Sequence, residues 1–306
     1  MNAPAVVAVT ATCRRAPEVA RLLASLARIP GGLLGVVVVD NGADDATRAA
    51  AAASPLRVEY LPQTRNLGCG GGLAEGERVA LARFDPFTHL WILDDDAVVE
   101  PDALEILLSA MARAGAGVAH PQVVDADGHV GWSPGLLDAE KHRLLQREPL
   151  TPAEYAERAG LDPVPFSWSQ GIALLVTRSA LDAVGLHRDD YWVRGEDLEF
   201  SLRLTARFPG LYVPAARVQH LPPAGDPATA RAAEYPKHRA MLQNIAYTSL
   251  RLPHGARIAR TIPPNWLRFL RTWGWTPRVL ADATGAFVRG AILGQPAGAG
   301  QHSTAP

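Results

Sequence analysis

The sequence predicts an α/β protein with a mixed, mostly parallel sheet covered by helices on both faces. Three observations lead there. Apolar runs of strand length alternate with segments of helical periodicity through the first half of the chain. Those runs are continuous in Val, Ile and Leu, as strands buried on both faces require. Polar residues (Thr10, Thr12, Asp40, Asn41 and Asp94 to Asp96) fall at or just past the ends of the runs. In open sheets of this kind ligands bind outside the carboxyl ends of the strands.

Each element follows from its own residues. AVVAVTAT is a first buried strand. Pro17 occupies a first helical position, where its missing N–H costs nothing, and Val19, Leu22, Leu23 and Leu26 follow at helical spacing. LLGVVVVDN is the second strand and ends on Asp40 and Asn41. DDATRAAAAA is a helix with acids at its start. LRVEYLP is the third strand, TRNLGCGGGLAEGERVALARF a Gly-rich turn entering a helix, and THLWILDDD the fourth strand. PDALEILLSAM is a helix with Leu104, Leu107, Leu108 and Met111 on one face. VAHPQVVDADGHVGW predicts strands around a turn at Asp127-Gly128, and residues 139–164 a polar loop with a short helix. SQGIALLVTRSALDAVG is a strand and a helix. RGEDLEFSLRLTARFPG is a helix with Leu198, Leu202 and Thr205 on one face. LYVPAARVQH gives a short strand and a second ending on His220. A basic, Trp-rich helical extension follows, and its last residues, GQPAGAGQHSTAP, have the composition of a disordered end. The predicted division is 1–222 for the α/β domain and 223–306 for the extension.

The 306 residues suffice for one large α/β domain plus an appendage, and the 48% hydrophobic content for a sizeable core. A net charge of −1 gives no reason to expect nucleic acid. The charge is uneven, however. Between Arg231 and Arg289, ten Arg and Lys residues face only Glu234 and Asp282. That excess predicts a polyanion or a membrane surface as partner. In the same region Trp266, Leu270 and Trp273 share a helical face. A peripheral membrane-surface helix is one reading of them; a helix packed on the α/β domain or on another subunit of a homo-oligomer is the other. Cys13 and Cys69 have neither metal-ligand nor disulfide spacing, which predicts a reducing cytoplasm. The N-terminus lacks the pattern of a secretory signal, and no apolar run is long enough to span a membrane.

The stretch WILDDDA carries the chemistry. Three adjacent carboxylates repel one another. A solvated turn or a helix N-cap would tolerate them, but the strand before them is too apolar for a casual surface edge, and Pro101 shows that the next helix starts later. A divalent cation accounts for the cluster better, because Mg²⁺ and Mn²⁺ take carboxylate and phosphate oxygens together.

WILDDDA resembles the Asp-x-Asp motif of nucleotide-sugar glycosyltransferases with the GT-A fold. Four further pieces resemble, in order, those of inverting family 2: VVVVDNGADDAT its nucleotide-binding strand end, TRNLGCGGGLAEG its Asn-Leu-Gly loop, RGEDLEFSLRL its acceptor-side motif with the catalytic base, and ARVQH its late metal-binding histidine. The likeness covers about residues 5 to 222 and is greatest to bacterial galactofuranosyl- and rhamnosyltransferases.

The resemblance implies roles. Asp40 and Thr10 would line the base or ribose site, and Arg65, Asn66 and Gly71 would lie where backbone approaches the donor closely. Asp94 and Asp96 would hold Mn²⁺ or Mg²⁺ with His220, Asp96 being the firmer ligand, and either Asp94 or Asp95 would face the ribose or the metal. Asp197 would be the general base, with Glu196, Glu199 and Trp168 toward the acceptor. For Glu196 and Asp197 the dipole of the following helix is an alternative explanation, for Trp168 core packing, and for Asp40 a turn before Asn41-Gly42. The implied reaction is metal-dependent inverting transfer of galactofuranose, or secondly rhamnose, from a UDP- or dTDP-sugar to a glycan or polyprenyl-linked acceptor in cell-surface polysaccharide synthesis. The rivals are a nucleotidyltransferase, whose basic Gly-rich N-terminal signature VTATCRRAPEV lacks, and a non-catalytic sugar-binding protein, which the intact acidic motifs disfavour.

Overall fold

A computed structural model describes residues 4–131, 135, 148–222, 227–252 and 255–293. Ten strands form one sheet: β1 (Val6–Thr12), β2 (Gly35–Asp40), β3 (Val58–Pro62), β4 (His89–Leu93), β5 (Ala97–Val99), β6 (Val118–Val124), β7 (Val130–Gly131), β8 (Val164–Phe166), β9 (Ala173–Thr177) and β10 (Gly210–His220). Their order is β3-β2-β1-β4-β9-β6-β10-β5, with β7 beside β6 and β8 beside β10. β3, β2, β1 and β4 are mutually parallel, as are β6 and β10. β9 runs antiparallel between β4 and β6. The sheet is therefore mixed.

Helices cover both faces. On one, α1 (Ala16–Leu26) and α4 (Ala103–Ala114) bury Leu22, Leu26, Leu107 and Met111 against Val6, Ala8, Val36 and Val38. On the other, α3 (Gly68–Arg83), α5 (Pro152–Ala159), α6 (Arg178–Val184) and α7 (Glu196–Thr205) bury Leu73, Tyr155, Leu181 and Phe200 against Val7, Val9, Leu174 and Val176. The alternation of strand side chains produces this split: odd and even residues of β1 belong to different cores. The short α2 (Asp45–Ala52) starts on Asp44, whose carboxylate accepts from the amides of Ala46 and Thr47.

Two features depart from the expectation. LYVPAARVQH is one bulged strand, not two. β10 shifts register on β6 between Val213 and Arg217, where Pro214 has no N–H to give the ladder. β5 follows directly on the acidic triplet and was not legible as a strand. The expected disordered end, 294–306, lies outside the described residues, as does much of the expected loop beginning at 139.

The extension is helical: α8 (Pro227–Arg251), α9 (Gly255–Ala259), α10 (Ile262–Trp273) and α11 (Pro277–Val288), closed by a π-turn over Arg289–Leu293. α8 touches both parts of the molecule. Asn244 donates to the carbonyls of Val193 and Arg194 (3.3 and 2.8 Å), and Thr248 meets the Tyr191 hydroxyl at 3.0 Å. Leu242 joins Phe269, Leu270, Val279 and Ala283 in a separate small core. Trp266, Leu270 and Trp273, the face read as membrane-directed, pack in or against that core.

Candidate active site

A cleft of about 760 Å³ opens at the carboxyl edge of β1 and β4. Its floor is the acidic triplet. β5 follows Asp96 immediately and pairs antiparallel with the end of β10, His220 opposite Ala97. That ladder brings together residues far apart in sequence: His220 Nε2 lies 3.0 Å from Asp96 and 3.9 Å from Asp94. Asp94, Asp96 and His220 each offer a ligand atom within 4.8 Å of the others. Two carboxylates and an imidazole at this spacing suit a hard divalent cation with open positions for phosphate oxygens.

The three acids are not equivalent. Asp95 is buried and committed to the protein: its carboxylate accepts from Thr12 Oγ1 at 2.6 Å and Arg15 Nη1 at 2.8 Å. Burial nevertheless raises its pKa, outweighing Arg15. Arg15 also reaches the outer oxygen of Asp96 at 3.1 Å. Burial works to raise Asp96 as well, but its bond to His220 prevails and lowers it. The same bond raises His220, against its burial. Asp94 is pushed up to about 7 by desolvation and by the charge of Asp96. A proton shared among these groups at neutral pH is what a bound cation would displace.

The opposite wall comes from residues 192–197. Gly195 in the left-handed region ends the loop, and α7 starts at Glu196. Asp197 lines the cleft and accepts from the amides of Leu198 (2.7 Å) and Gly171 (3.2 Å). Burial raises its pKa. Glu196 is 8% exposed and is pushed up to about 8, first by burial and then by the charge of Asp197. The environment treats the two adjacent acids differently: Glu196 is pushed up to about 8, whereas Asp197, also raised by burial, accepts from two backbone amides that favour its charged form.

Of the residues singled out from sequence, Asp94, Asp95, Asp96, His220, Glu196, Asp197 and Asn66 line the cleft. Others do not. Asp40 is fully buried, and its oxygens are taken by the amides of Gly42 and Asp44 (both 2.8 Å) and the Tyr60 hydroxyl (2.7 Å). These bonds fit the turn reading, and Asp40 lies outside the cleft lining. Thr10 is buried on the α1 face, below the cleft. Arg65 is exposed outside the lining. Gly71 lies in α3 against Leu67, and the Gly run is helix, not loop. A Cβ on Gly72 or Gly76 would come within 2.8 Å of Ala11 or 2.5 Å of Val9, so these glycines let α3 lie close on β1. Glu199 is buried in a two-oxygen ion pair with Arg203 (2.8 and 2.9 Å) and is not part of the cleft lining. Trp168 packs over Gly135 and against a small core with Leu202 and Ile245, so core packing explains it.

Thr12 and Asn41, which the sequence places at the strand ends, line the cleft as well. Asn41 clamps the turn before α3, accepting from the amide of Leu67 and donating to the carbonyl of Gly68. Sequence reasoning missed Arg15, Trp192, Arg194 and Lys237, which also face the cleft. Arg194 has φ +62, and its guanidinium is ion-paired with Glu234 of α8, which also holds Lys237 at 3.1 Å. The extension thus contributes to the cleft wall, which no local signal in its sequence announces.

A sheet of this order with an acidic, histidine-completed cleft at its carboxyl edge defines a glycosyltransferase of the GT-A fold. Solved structures agree in architecture. Staphylococcus aureus TarS in complex with UDP-GlcNAc superposes with a TM-score of 0.58 at 14% identity, over 94% of this chain and 81% of that one. The mannosyltransferase PcManGT of Pyrobaculum calidifontis with GDP-Man and Mn²⁺ gives 0.55 at 16%, with the same coverage. The chain belongs to glycosyl transferase family 2, whose family model matches residues 7–169. The N-acetylglucosaminyl-diphospho-decaprenol L-rhamnosyltransferase of Mycobacterium tuberculosis is 33% identical over 69% of this chain and 74% of its own length. Galactofuranosyltransferase GlfT1 of the same organism is 31% identical over 65% of this chain and 64% of its own.

Proposed function

We propose that this glycosyltransferase transfers a deoxyhexosyl or hexofuranosyl unit, with inversion, from a UDP- or dTDP-sugar to a lipid-linked glycan acceptor. The observation that carries the reading is the pairing, across one cleft, of the Asp94–Asp96–His220 group with the carboxylate of Asp197. The rhamnosyltransferase matches more of this chain than the galactofuranosyltransferase does. That moves rhamnose ahead of galactofuranose, the reverse of the order the motifs suggested.

Asp94, Asp96 and His220 would hold Mn²⁺ or Mg²⁺, which supplies charge stabilisation for the departing nucleotide diphosphate. Asp95, held by Thr12 and Arg15, fixes the triplet so that Asp94 and Asp96 face the cleft. Asp197 takes the proton of the acceptor hydroxyl. That oxygen forms the new bond to the anomeric carbon as the bond from that carbon to the diphosphate oxygen breaks on the opposite face. Protonated Glu196 can donate to an acceptor oxygen without competing as base. Arg194 and Lys237 line the same wall and offer positive charge to a phosphate-bearing acceptor.

The test is release of nucleotide diphosphate by the purified full chain from a panel of UDP- and dTDP-sugars, with Mn²⁺ or Mg²⁺ and a short-chain polyprenyl diphosphate-sugar acceptor. Acceptor-stimulated release from dTDP-rhamnose or UDP-galactofuranose, abolished by chelator, is expected. Absence of turnover with every donor, or full turnover in excess chelator, would overturn it.

A further inference from the structure

The extension carries an apolar surface that its own core does not use. α10 and α11 form a helical hairpin whose inward faces (Phe269, Leu270, Val279, Ala283 and Ala286) are buried. Outside, Leu280, Thr284, Phe287 and Val288 recur at i, i+4, i+7 and i+8 of α11, an unbroken stripe along one face. Leu280 and Val288 are exposed, Trp275 at the hairpin turn is 66% exposed, and Ile292 at the far end is 73% exposed. Between the helices this surface forms a groove of about 450 Å³ lined by Ile262, Pro263, Trp266, Leu267, Thr284 and Phe287. Large apolar side chains gathered on one side of a helical hairpin mark an interaction face, not scattered exposure.

The charge around it says what covers it. The two acids of the region are engaged internally. Glu234 holds Arg194 and Lys237, and Asp282 accepts from Tyr235 at 2.7 Å and lies 3.7 Å from Arg239. Arg257, Arg260, Arg268, Arg271 and Arg278 are exposed and, among the described residues, have no acidic partner. On α10, Arg271 and Arg268 flank exposed Leu267, so cation and apolar side chain share one face. A protein partner of ordinary composition would have to supply acids opposite each arginine. A bilayer carrying anionic lipid supplies them everywhere and takes Trp275, Leu280 and Ile292 at headgroup depth. Among the described residues no helix is long and apolar enough to cross a membrane, so the contact lies in the surface plane.

We infer that the outer face of the α10–α11 hairpin, with Trp275, Leu280, Val288 and Ile292 inserted and Arg268 and Arg271 flanking them, docks this enzyme on an anionic membrane surface. The surface shares only Trp266, at the groove, with the Trp266–Leu270–Trp273 face suggested by sequence; Leu270 and Trp273 are spent on internal packing. The inference rests on the lipid-linked acceptor reading for its purpose but not for its physical basis.

The test is co-sedimentation of the full chain with vesicles of phosphatidylcholine alone and of equal parts phosphatidylcholine and phosphatidylglycerol. Binding should require the anionic lipid and fall with salt. Arg268→Ala/Arg271→Ala should weaken partitioning by about 25-fold, from about 5-fold for each basic residue. Trp275→Ser/Leu280→Ser should weaken it at unchanged charge. Both variants should keep the wild-type melting temperature and turnover on a short-chain, water-soluble acceptor, and lose turnover on acceptor embedded in vesicles. Wild type that fails to sediment with anionic vesicles, or variants that bind as wild type does, would overturn the docking face. So would a stable dimer in solution that Trp275→Ser/Leu280→Ser dissociates, since a second copy would then be the occupant. Sedimentation without turnover on any donor would instead remove the transferase reading and leave the face standing.

Discussion

Replacing Glu196 by Gln should make the protein more stable while making it a poorer enzyme. Glu196 is buried beside Asp197, and its pKa stands at about 8 against 4.5 for the free side chain. The unfolded chain therefore releases this proton near pH 4.5, whereas the folded chain holds it until about pH 8. A group raised on folding contributes its full stability below the unfolded value and loses it as pH climbs toward the folded one. Linkage converts the separation into a wild-type penalty of about 1 kcal/mol at pH 5, about 3 kcal/mol at pH 7 and about 5 kcal/mol at pH 9. Gln carries no charge in either state and escapes the penalty. The assay is thermal unfolding of both proteins in chelator at pH 5, 7 and 9. At about 2 °C per kcal/mol for a chain of this size, the variant should gain about 6 °C at pH 7, less at pH 5 and more at pH 9. Unfolding curves that shift in parallel with pH would refute the reasoning, because Glu196 would then be ionised in the fold and could serve as base.

Asp197→Asn should lower turnover by about 10²- to 10⁴-fold, the scale of a general base, with donor affinity retained in equilibrium binding. The kcat/KM profile of the wild type should fall toward acid pH as Asp197 takes up a proton, with the limb displaced upward from an ordinary aspartate because burial raises it. Asp96→Ala and His220→Ala should each remove Mn²⁺ binding measured by calorimetry, whereas Arg65→Ala should leave it intact. Gly68→Ala should cost about 1–3 kcal/mol in denaturant unfolding and raise the donor KM. Gly68 sits at φ +77, and a Cβ would lie 2.0 Å from the Trp192 carbonyl, forcing the cleft wall outward.

The strands, the helices between them and the acidic triplet were legible because each rests on local pattern, whereas His220 was joined to the triplet by the family resemblance. Val and Leu runs need no context to be read as buried strands, and three carboxylates after such a run demand a counter-charge. What local pattern does not show depends on distance. Asp40 has the strand-end position of a ligand residue, but its three hydrogen-bond donors include Tyr60, twenty positions away, and of the Asp40-Asn41 pair it is Asn41 that lines the cleft. Glu199 stands among acids at a helix start, and its ion pair with Arg203 one turn on is what engages it. Trp168 carries no sign in sequence of the Gly135 it covers. Lys237 and Glu234 lie in a segment read as a separate appendage. Their part in the cleft depends on Asn244 and Thr248 seating α8 on the 191–194 loop, a fit between surfaces that no periodicity encodes.

The reversed strand β9 has a bearing on how such enzymes diversify. Parallel neighbours deliver only strand exits to the working edge of a sheet, and each must be reached by a full crossover. β9 arrives from the other direction, so the chain enters the sheet at the cleft: Ala173 stands opposite Leu93, and the amide of Asp94 is received by the carbonyl of Ile172 at 3.0 Å. The chain up to Val99 builds the acidic floor, and the chain from Gln170 onward the wall with Asp197. The segment joining them includes β6, which lies between β9 and β10, so only its part beyond β6 can be exchanged with the β4-β9-β6-β10 order kept. Chimaeras cut at the end of β6 and again at the start of β9 would exchange residues 125–172 and keep one parent's acidic floor, and acceptor choice should travel with the exchanged segment.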